Sequence, residues 1–313
     1  MQSPTTIVLA AVERCRKRLW AHCYRMTGRR AEADDLSQEA IARAIERADA
    51  LQDPTAVEGW LFRIATTVCL DHLRRARRVR ELTELVDPVA FDDVAEAPAG
   101  PEAALLQREE VRLALVVALQ SLAPKQRAVL LLHDVCGLPL AEAAAALGTN
   151  GNAAKATLHR ARAGLARARS NVHTGARIDV DPRADAGVVE RLARALEERS
   201  VDALAELLAD DVWGVVDGGG VVPVASRPTV GARALLRRFT GLSKRVAQPV
   251  ACRVVRLNAE PSVLVSLPTA ANAVFASVHV ETRAGRITAM RVVRDPAKLA
   301  PLQALASPTG ARQ

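Results

Sequence analysis

Through the first 170 positions apolar residues recur at helical spacing; beyond about 188 they gather into short valine-rich runs. Residues 10–80 read as helix throughout. Residues 31–48 (AEADDLSQEAIARAIERA) form an amphipathic helix with a carboxylate-rich outer face. Residues 60–80 (WLFRIATTVCLDHLRRARRVR) begin apolar and end with Arg74, Arg75, Arg77, Arg78 and Arg80. The helical pattern returns over 102–169, broken by Pro124, by Cys136-Gly137 and by Gly148-Thr149-Asn150-Gly151. This spacing predicts a helix over 124–135 with Pro124 in its first turn, a short helix over 139–147 and a longer one from about 151 to 169. Residues 188–209 form a further helix, with Val188, Leu192, Leu196, Leu204, Leu207 and Leu208 as its apolar positions. The runs 212–216, 252–257, 262–267, 273–280 and 286–293, bounded by Gly, Pro, Asn or Arg, predict an antiparallel sheet. With helices at about 188–209 and 231–241 packed on it, the last third is an α+β domain.

Breaker-rich stretches, the first of them purely acidic, divide these patterns. The chain resolves into residues 1–80, a linker at 81–104, a second helical module at 105–170, a linker at 171–187, the α+β domain at 188–302 and a tail at 303–313. Charge sharpens the division. Residues 1–80 carry 15 basic and 10 acidic residues, and residues 108–177 carry 10 and 4. Residues 81–107 between them carry none and 7, so two basic modules flank a purely acidic connector. The longest apolar run, within 111–119, is interrupted by Arg112 and falls well short of the roughly 20 residues that cross a bilayer. No cationic region precedes the weakly apolar stretch at 7–12, so a cytoplasmic chain without membrane attachment is expected. Five cysteines, with no Cys-x-x-Cys spacing, read as buried reduced thiols, and neither Cys69/His72 nor His22/Cys23 completes a metal-ligand set. No cofactor is expected.

An acidic helix face does not seek phosphate; it is either a protein-binding face or a solvated one, with Glu39 and Arg43 spaced as an i,i+4 pair. Five arginines at the end of residues 60–80 exceed what the helix macrodipole favours and point to nucleic acid. Trp60, beside Leu61, Ile64 and Val68, is read as a core residue in preference to a base-stacking one. The helices at 139–147 and 151–169, joined by a Gly-containing turn, match a helix-turn-helix with a basic second helix. Asn150 is suited to cap that helix, which puts Asn152 and Lys155 within reach of base edges and the later arginines on phosphates. Asp217-Gly218-Gly219-Gly220 is a turn that needs positive φ or a close backbone approach, or a plain hairpin. Asp211, Asp217 and His279 are the residues an acid–base enzyme of this fold would use, though a packed His279 is the better reading.

These segments match a known family. RRAEADDLSQEAIARA followed by WLFRIATTVCLDHLRR resembles regions 2.1 to 2.4 of bacterial extracytoplasmic-function (ECF) sigma factors, and LAPKQRAVLLLHDVCGLPLAEAAAALGTNGNAAKATLHRARAGL resembles their region 4. VVERLARALEERSVDALAELLADDV, VDGGGVVPVASRPTVGARALLRRF and ITAMRVVRDPAKL resemble the SnoaL-like extension of one subgroup, marked by Asp-Gly-Gly-Gly. The resemblance implies a multidomain fold: an all-α region 2, an all-α helix-turn-helix region 4, and a cone-shaped α+β domain of SnoaL/NTF2 type. It implies a non-enzymatic subunit that binds the RNA polymerase core at the β′ clamp and β flap and directs it to promoter DNA. Carried over by position, Asp34, Asp35, Leu36, Gln38 and Glu39 face the clamp. Arg63, Arg74, Arg75, Arg77 and Arg78, with the loop near 50–58, serve the −10 element, whose opening needs a base pocket that the sequence does not identify. Thr149, Asn150, Asn152, Lys155, His159, Arg160 and Arg162 serve the −35 element. Asp217, Gly218, Gly219 and Gly220 form a regulatory loop through which the C-terminal domain, by intramolecular contact, controls the sigma regions. The alternatives are a sensor of a small apolar ligand and an isomerase- or cyclase-type enzyme. The chain departs from the family at Val221, where Lys is usual, and at Pro139, where a capping Ser is usual. Gly151 and Ala154 replace apolar Val-type residues, which predicts a less rigid region 4.

Overall fold

Where each helix ends is set by a few residues. In the computed structural model, which describes residues 3–75, 113–170, 184–219, 221–224, 228–246, 248–258, 260–268 and 273–306, Ser3 Oγ accepts from the Thr6 N–H and starts helix α1 (Pro4–Thr27). Gly28, at φ 74°, ends it and returns its N–H to the Tyr24 carbonyl at 2.7 Å. Helices α2 (Arg30–Glu46) and α3 (Val57–Arg75) pack on α1, burying Leu19, Leu36, Ala40, Leu61, Phe62 and Val68. The chain then forms α4 (Leu113–Gln120), α5 (Pro124–Leu130), α6 (Leu140–Ala146) and α7 (Gly151–Ser170). The helix expected over 124–135 does not stay regular. It widens after Leu130 into a π turn over Leu131–Val135, closed by the Cys136 N–H to the Leu131 carbonyl.

All seven helices belong to one compact unit. Its clasp is Arg127, only 4% exposed, which no sequence pattern singled out. Its guanidinium donates to the carbonyls of Leu119 (2.9 Å), Gln120 (3.2 Å) and Leu122 (3.1 Å), to the Gln120 side-chain oxygen and to the Met26 carbonyl at the end of α1. Gln120 Nε2 donates in turn to the Arg25 carbonyl at 3.0 Å. Cations favour a helix C-terminus, so one arginine satisfies the last carbonyls of two helices at once.

The second unit begins with α8 (Ala186–Glu197) and α9 (Val201–Leu207). The single helix expected over 188–209 is thus two, because Arg199 takes φ 56° and Ser200 Oγ then caps α9 through the Ala203 N–H. Six strands follow: β1 (Leu208–Asp217), β2 (Thr229–Val230), β3 (Ala251–Leu257), β4 (Glu260–Leu267), β5 (Ala273–Arg283) and β6 (Arg286–Val293), with helix α10 (Ala232–Arg245) between β2 and β3. Their order is β2-β1-β6-β5-β4-β3. The expectation of a wholly antiparallel sheet fails at one place: β1 pairs with β6 in parallel, Trp213 opposite Ala289 and Asp217 opposite Val293. The intervening helix α10 and three antiparallel turns of the sheet bring β6 back in the direction of β1. Apolar residues of one sheet face (Val212, Val263, Val265, Val278, Val280, Ile287) bury the apolar sides of α8 and α9, and α10 packs against the same face through part-buried Leu235, Leu236 and Phe239. The other face carries Leu264, Val274 and Val293, covered by the closing turns α11 (Pro296–Leu299), a 3-10 turn (Ala300–Leu302) and α12 (Gln303–Ala306). This is the cone-type α+β arrangement expected of the last third.

Among the described residues each unit buries one histidine. His22 contacts Thr66 Oγ1 at 2.8 Å, and His279 sits between Ser262 Oγ and Ser277 Oγ, both at 3.1 Å. Burial, reinforced by Arg25 beside His22 and Arg291 beside His279, lowers each pKa to about 3. The unfolded chain titrates these groups near 6.5, so below that pH it binds protons the folded chain refuses. Stability is therefore fully present above pH 6.5 and lost as pH falls, each histidine costing about 2 kcal/mol at pH 5. Thermal melts at pH 7.5 and 5 measure this, and His279→Gln is expected to flatten the pH dependence of the C-terminal unit while lowering its midpoint.

Among the described residues no disulfide joins the cysteines; Cys15, Cys23 and Cys69 are buried, and Cys136 and Cys252 are half-exposed. Among the same residues no helix is long and apolar enough to cross a membrane.

Candidate nucleic-acid and protein interfaces

The helix-turn-helix is built from α6, the turn at Leu147–Asn150 and α7. Pro139 precedes α6 without a side-chain cap, and Gly148 at φ 62° turns the chain out of it. Asn150 Oδ1 then accepts from the Ala153 N–H at 2.9 Å, the cap expected for α7. Ala154, Leu158 and Ala161 lie on the buried face of α7. Ala154 is fully buried, so a larger apolar residue there would meet packed neighbours. Thr149, Asn150, Asn152, Lys155, His159, Arg160 and Arg162 are all exposed around its N-terminal half. Arg162 differs from the rest: its guanidinium is clasped by both oxygens of Asp134, at 2.6 and 2.9 Å. That pairing raises its already high pKa and holds it to its own fold.

On α2, Asp35, Gln38 and Glu39 are exposed, and Asp34 is half-buried, its Oδ1 accepting from Trp20 Nε1 at 2.5 Å. Leu36 is 4% exposed and packs inward, so it shapes the face from beneath and is not part of it. Glu39 pairs with Arg43 at 2.5 Å, as the i,i+4 spacing predicts. An exposed pair of this kind contributes little to stability, so the face remains available to a partner.

The −10 candidates separate. Arg74 and Arg75 are exposed near the end of α3, Arg74 paired with Asp71 at 2.9 Å. Arg63 is half-buried and faces Glu142 of α6 at 3.7 Å. Arg77, Arg78 and Arg80 lie outside the described residues. In the loop near 50–58, Asp53 caps a 3-10 turn (Pro54–Ala56) through the N–H and hydroxyl of Thr55, which lower its pKa. Beside Arg63 is a recess of about 240 Å³ lined by Arg43, Arg47, Trp60, Ile64 and Thr67, with Ala145 and Ala146 of α6 as a wall. Trp60 is thus half-buried at the edge of a basic recess, and not a core tryptophan. Sequence reasoning missed Arg43 and Arg47 because they come from another helix; an arginine repeat at four-residue spacing was the only signal for them.

In the C-terminal unit Asp217 is 3% exposed, and its Oδ2 accepts from Lys298 Nζ at 2.7 Å. Its other oxygen accepts from the Gly219 N–H at 2.8 Å, and its carbonyl from the Arg294 N–H at 2.7 Å. Of the two readings of this turn, close approach holds. A Cβ on Gly218 would lie 2.1 Å from the Val222 carbonyl oxygen, and one on Gly219, at φ 60°, 2.3 Å from the Asp295 carboxyl carbon. Val221 is 74% exposed, and Gly220 lies outside the described residues. Lys298 and Asp295 were not singled out in the sequence, being some 80 residues away. The acid–base candidates do not converge. Asp211 pairs with Arg283 at 3.3 Å on the surface, Asp217 is held by Lys298, and His279 lies on the sheet face away from α8, α9 and α10. The helix-covered face is apolar and tightly filled: a Cβ on Gly214 would meet Leu235 at 2.7 Å.

Comparison with known proteins agrees with this architecture. Residues 11–79 match Sigma-70 region 2, and residues 112–165 match Sigma-70 region 4. The chain is 38% identical over 222 residues to the ECF RNA polymerase sigma factor SigG of Mycobacterium tuberculosis, an alignment spanning 65% of this chain but only 60% of SigG. It is 36% identical over 236 residues to SigJ of the same organism, covering 74% of this chain and 72% of SigJ. The crystal structure of M. tuberculosis SigJ superposes over 96% of this chain and 99% of its own, with a TM-score of 0.69 and 29% identity. Both sigma regions, their order and the fused α+β unit are shared, and the chain belongs to the ECF RNA polymerase sigma factors.

Proposed function

We propose that this chain binds the RNA polymerase core through the exposed face of α2 and carries it to promoter DNA. In this reading α3 serves the −10 element and α7 the −35 element. One observation carries it: in a chain with both sigma regions, α7 presents Asn152, Lys155, His159 and Arg160 outward from an N-terminus that Asn150 caps. Asn and Lys near such an N-terminus reach base edges, and the arginines reach phosphates. The basic surface around Trp60, which α6 walls in this arrangement and which is uncovered when the helices part, is the place for an unstacked base, which an indole can stack and guanidiniums can anchor.

The same geometry supports a resting state. The two elements are named for positions about 25 base pairs apart, roughly 85 Å at 3.4 Å per step. A single compact unit of this size has a radius of gyration of about 15 Å. Engagement of both elements requires α1–α3 and α4–α7 to separate, breaking the Arg127 clasp and freeing Arg63 from Glu142. The C-terminal unit regulates that separation in cis, with the Asp217–Gly220 loop as its contact segment. The polymerase face is tested by Asp35→Arg in the full chain, which is expected to weaken core binding about tenfold, about 1.4 kcal/mol. Unchanged affinity would remove α2 from the interface.

A further inference from the structure

We infer that α10 of the C-terminal unit is a second DNA-contacting surface, gripping the phosphate backbone of duplex DNA without reading sequence. The helix (ARALLRRFTGLSKR) holds Arg233, Arg237, Arg238, Lys244 and Arg245 and no acidic residue. All five cations are exposed, and none is paired among the described residues. At 100° per residue Arg233, Arg237 and Lys244 fall within about 40° of one another, with Arg238 and Arg245 about 80–140° further round on one side. Leu235, Leu236 and Phe239 point the opposite way and pack into the sheet core. Eleven residues at 1.5 Å give a basic stripe about 16 Å long, the rise of roughly five phosphates along one strand.

The charge is concentrated, not general. Residues 178–313 carry 18 basic and 14 acidic residues; without the five cations of α10 the remainder has one more acid than base. The elements packed against α10 carry acids of their own: Asp202 and Glu206 on α9, and Asp210, Asp211 and Asp217 on β1. Asp211 is engaged by Arg283. A basic amphipathic helix can also lie on an anionic membrane, but it then needs its apolar face free to enter lipid. Here Leu235, Leu236 and Phe239, each part-buried, already pack against the sheet core, and of the helix's large apolar residues Leu242 alone, at 36%, is exposed. A polyanion met by cations alone is the better fit, and the choice of DNA rests on the reading that this chain works at promoters.

The test uses the full chain and a non-promoter duplex of about 30 base pairs, with affinity followed by fluorescence anisotropy from roughly 50 to 300 mM salt. The variant Arg233→Ala/Arg237→Ala/Lys244→Ala is expected to bind at least about tenfold more weakly at low salt. The slope of log K against log salt should become shallower by about 2 to 3, near 0.9 per lost phosphate contact. The control Arg16→Ala/Arg191→Ala/Arg194→Ala removes the same charge elsewhere and should leave the slope nearly unchanged. Equal losses in both variants, no loss in the first, or no DNA binding by the parent chain would overturn the inference. So would a variant that loses binding to phosphatidylserine vesicles but keeps DNA. Core polymerase binding, measured on the same preparations, judges the sigma-factor reading separately, since α10 takes no part in the proposed core contact.

Discussion

Lys298→Met is expected to destabilise the C-terminal unit by about 3–5 kcal/mol, the largest single-residue effect in the molecule. The side chains of Lys298 and Asp217 are 4% and 3% exposed, and their 2.7 Å contact is buried. Methionine fills the volume but leaves the carboxylate facing a neutral neighbour in a dry site. The Gly219 amide on its other oxygen does not replace a cation, and the Arg294 amide bonds the Asp217 main-chain carbonyl instead. At roughly 2–4 °C per kcal/mol for a unit of this size, the melting midpoint should fall by about 6–20 °C. The double variant Asp217→Asn/Lys298→Met removes both charges and should recover most of that loss, because replacing a whole buried pair is far cheaper than breaking it. Equal destabilisation by the single and double variants would show that the two charges do not stabilise each other. The consequence for function is local. This pair bolts the glycine turn to the start of α11, so the regulatory role proposed for the turn depends on a charge more than 80 residues away.

Arg127→Met should cost the helical unit about 3 kcal/mol, since each of several lost bonds to buried carbonyls contributes about 1 kcal/mol and methionine regains part of the packing. The carbonyls concerned are those of Met26, Leu119, Gln120 and Leu122. The direction of the second effect separates this residue from an ordinary core position. Loosening the clasp should make α1–α3 and α4–α7 easier to part, so core polymerase binding should strengthen while the melting midpoint falls. Parallel denaturation and core-binding measurements on the variant check both. A fall in both would make Arg127 structural only.

Much of this was legible in the chain. Periodicity placed α2, the start of α3, α6 and α7 within a few residues, because each has an apolar stripe; Pro139 and Asn150 also mark the starts of α6 and α7. Five of the six strands were legible as Val-rich runs, but the two-residue β2 has too few positions to show alternation. The parallel pairing of β1 with β6 was not visible, since neighbours in a sheet are chosen by long-range packing and not by local pattern. The break at Arg199 was missed because a positive φ in a non-glycine residue leaves no mark in composition. The places of Asn150 and Lys155, at the start of one helix, could be read from spacing alone. Arg127, Lys298 and the recess beside Trp60 could not, because each depends on groups brought together from distant segments. Leu36 shows the reverse limit: its place in an acidic motif marked it as surface, whereas its apolar side chain sent it to the core.

The most direct test of the account is equilibrium binding to core RNA polymerase by the full chain and by residues 1–175. If the C-terminal unit restrains the helical unit, both bind and the shorter chain binds more tightly. Failure of both to bind would contradict the assignment of α2 as the polymerase face and of the chain as a working sigma factor.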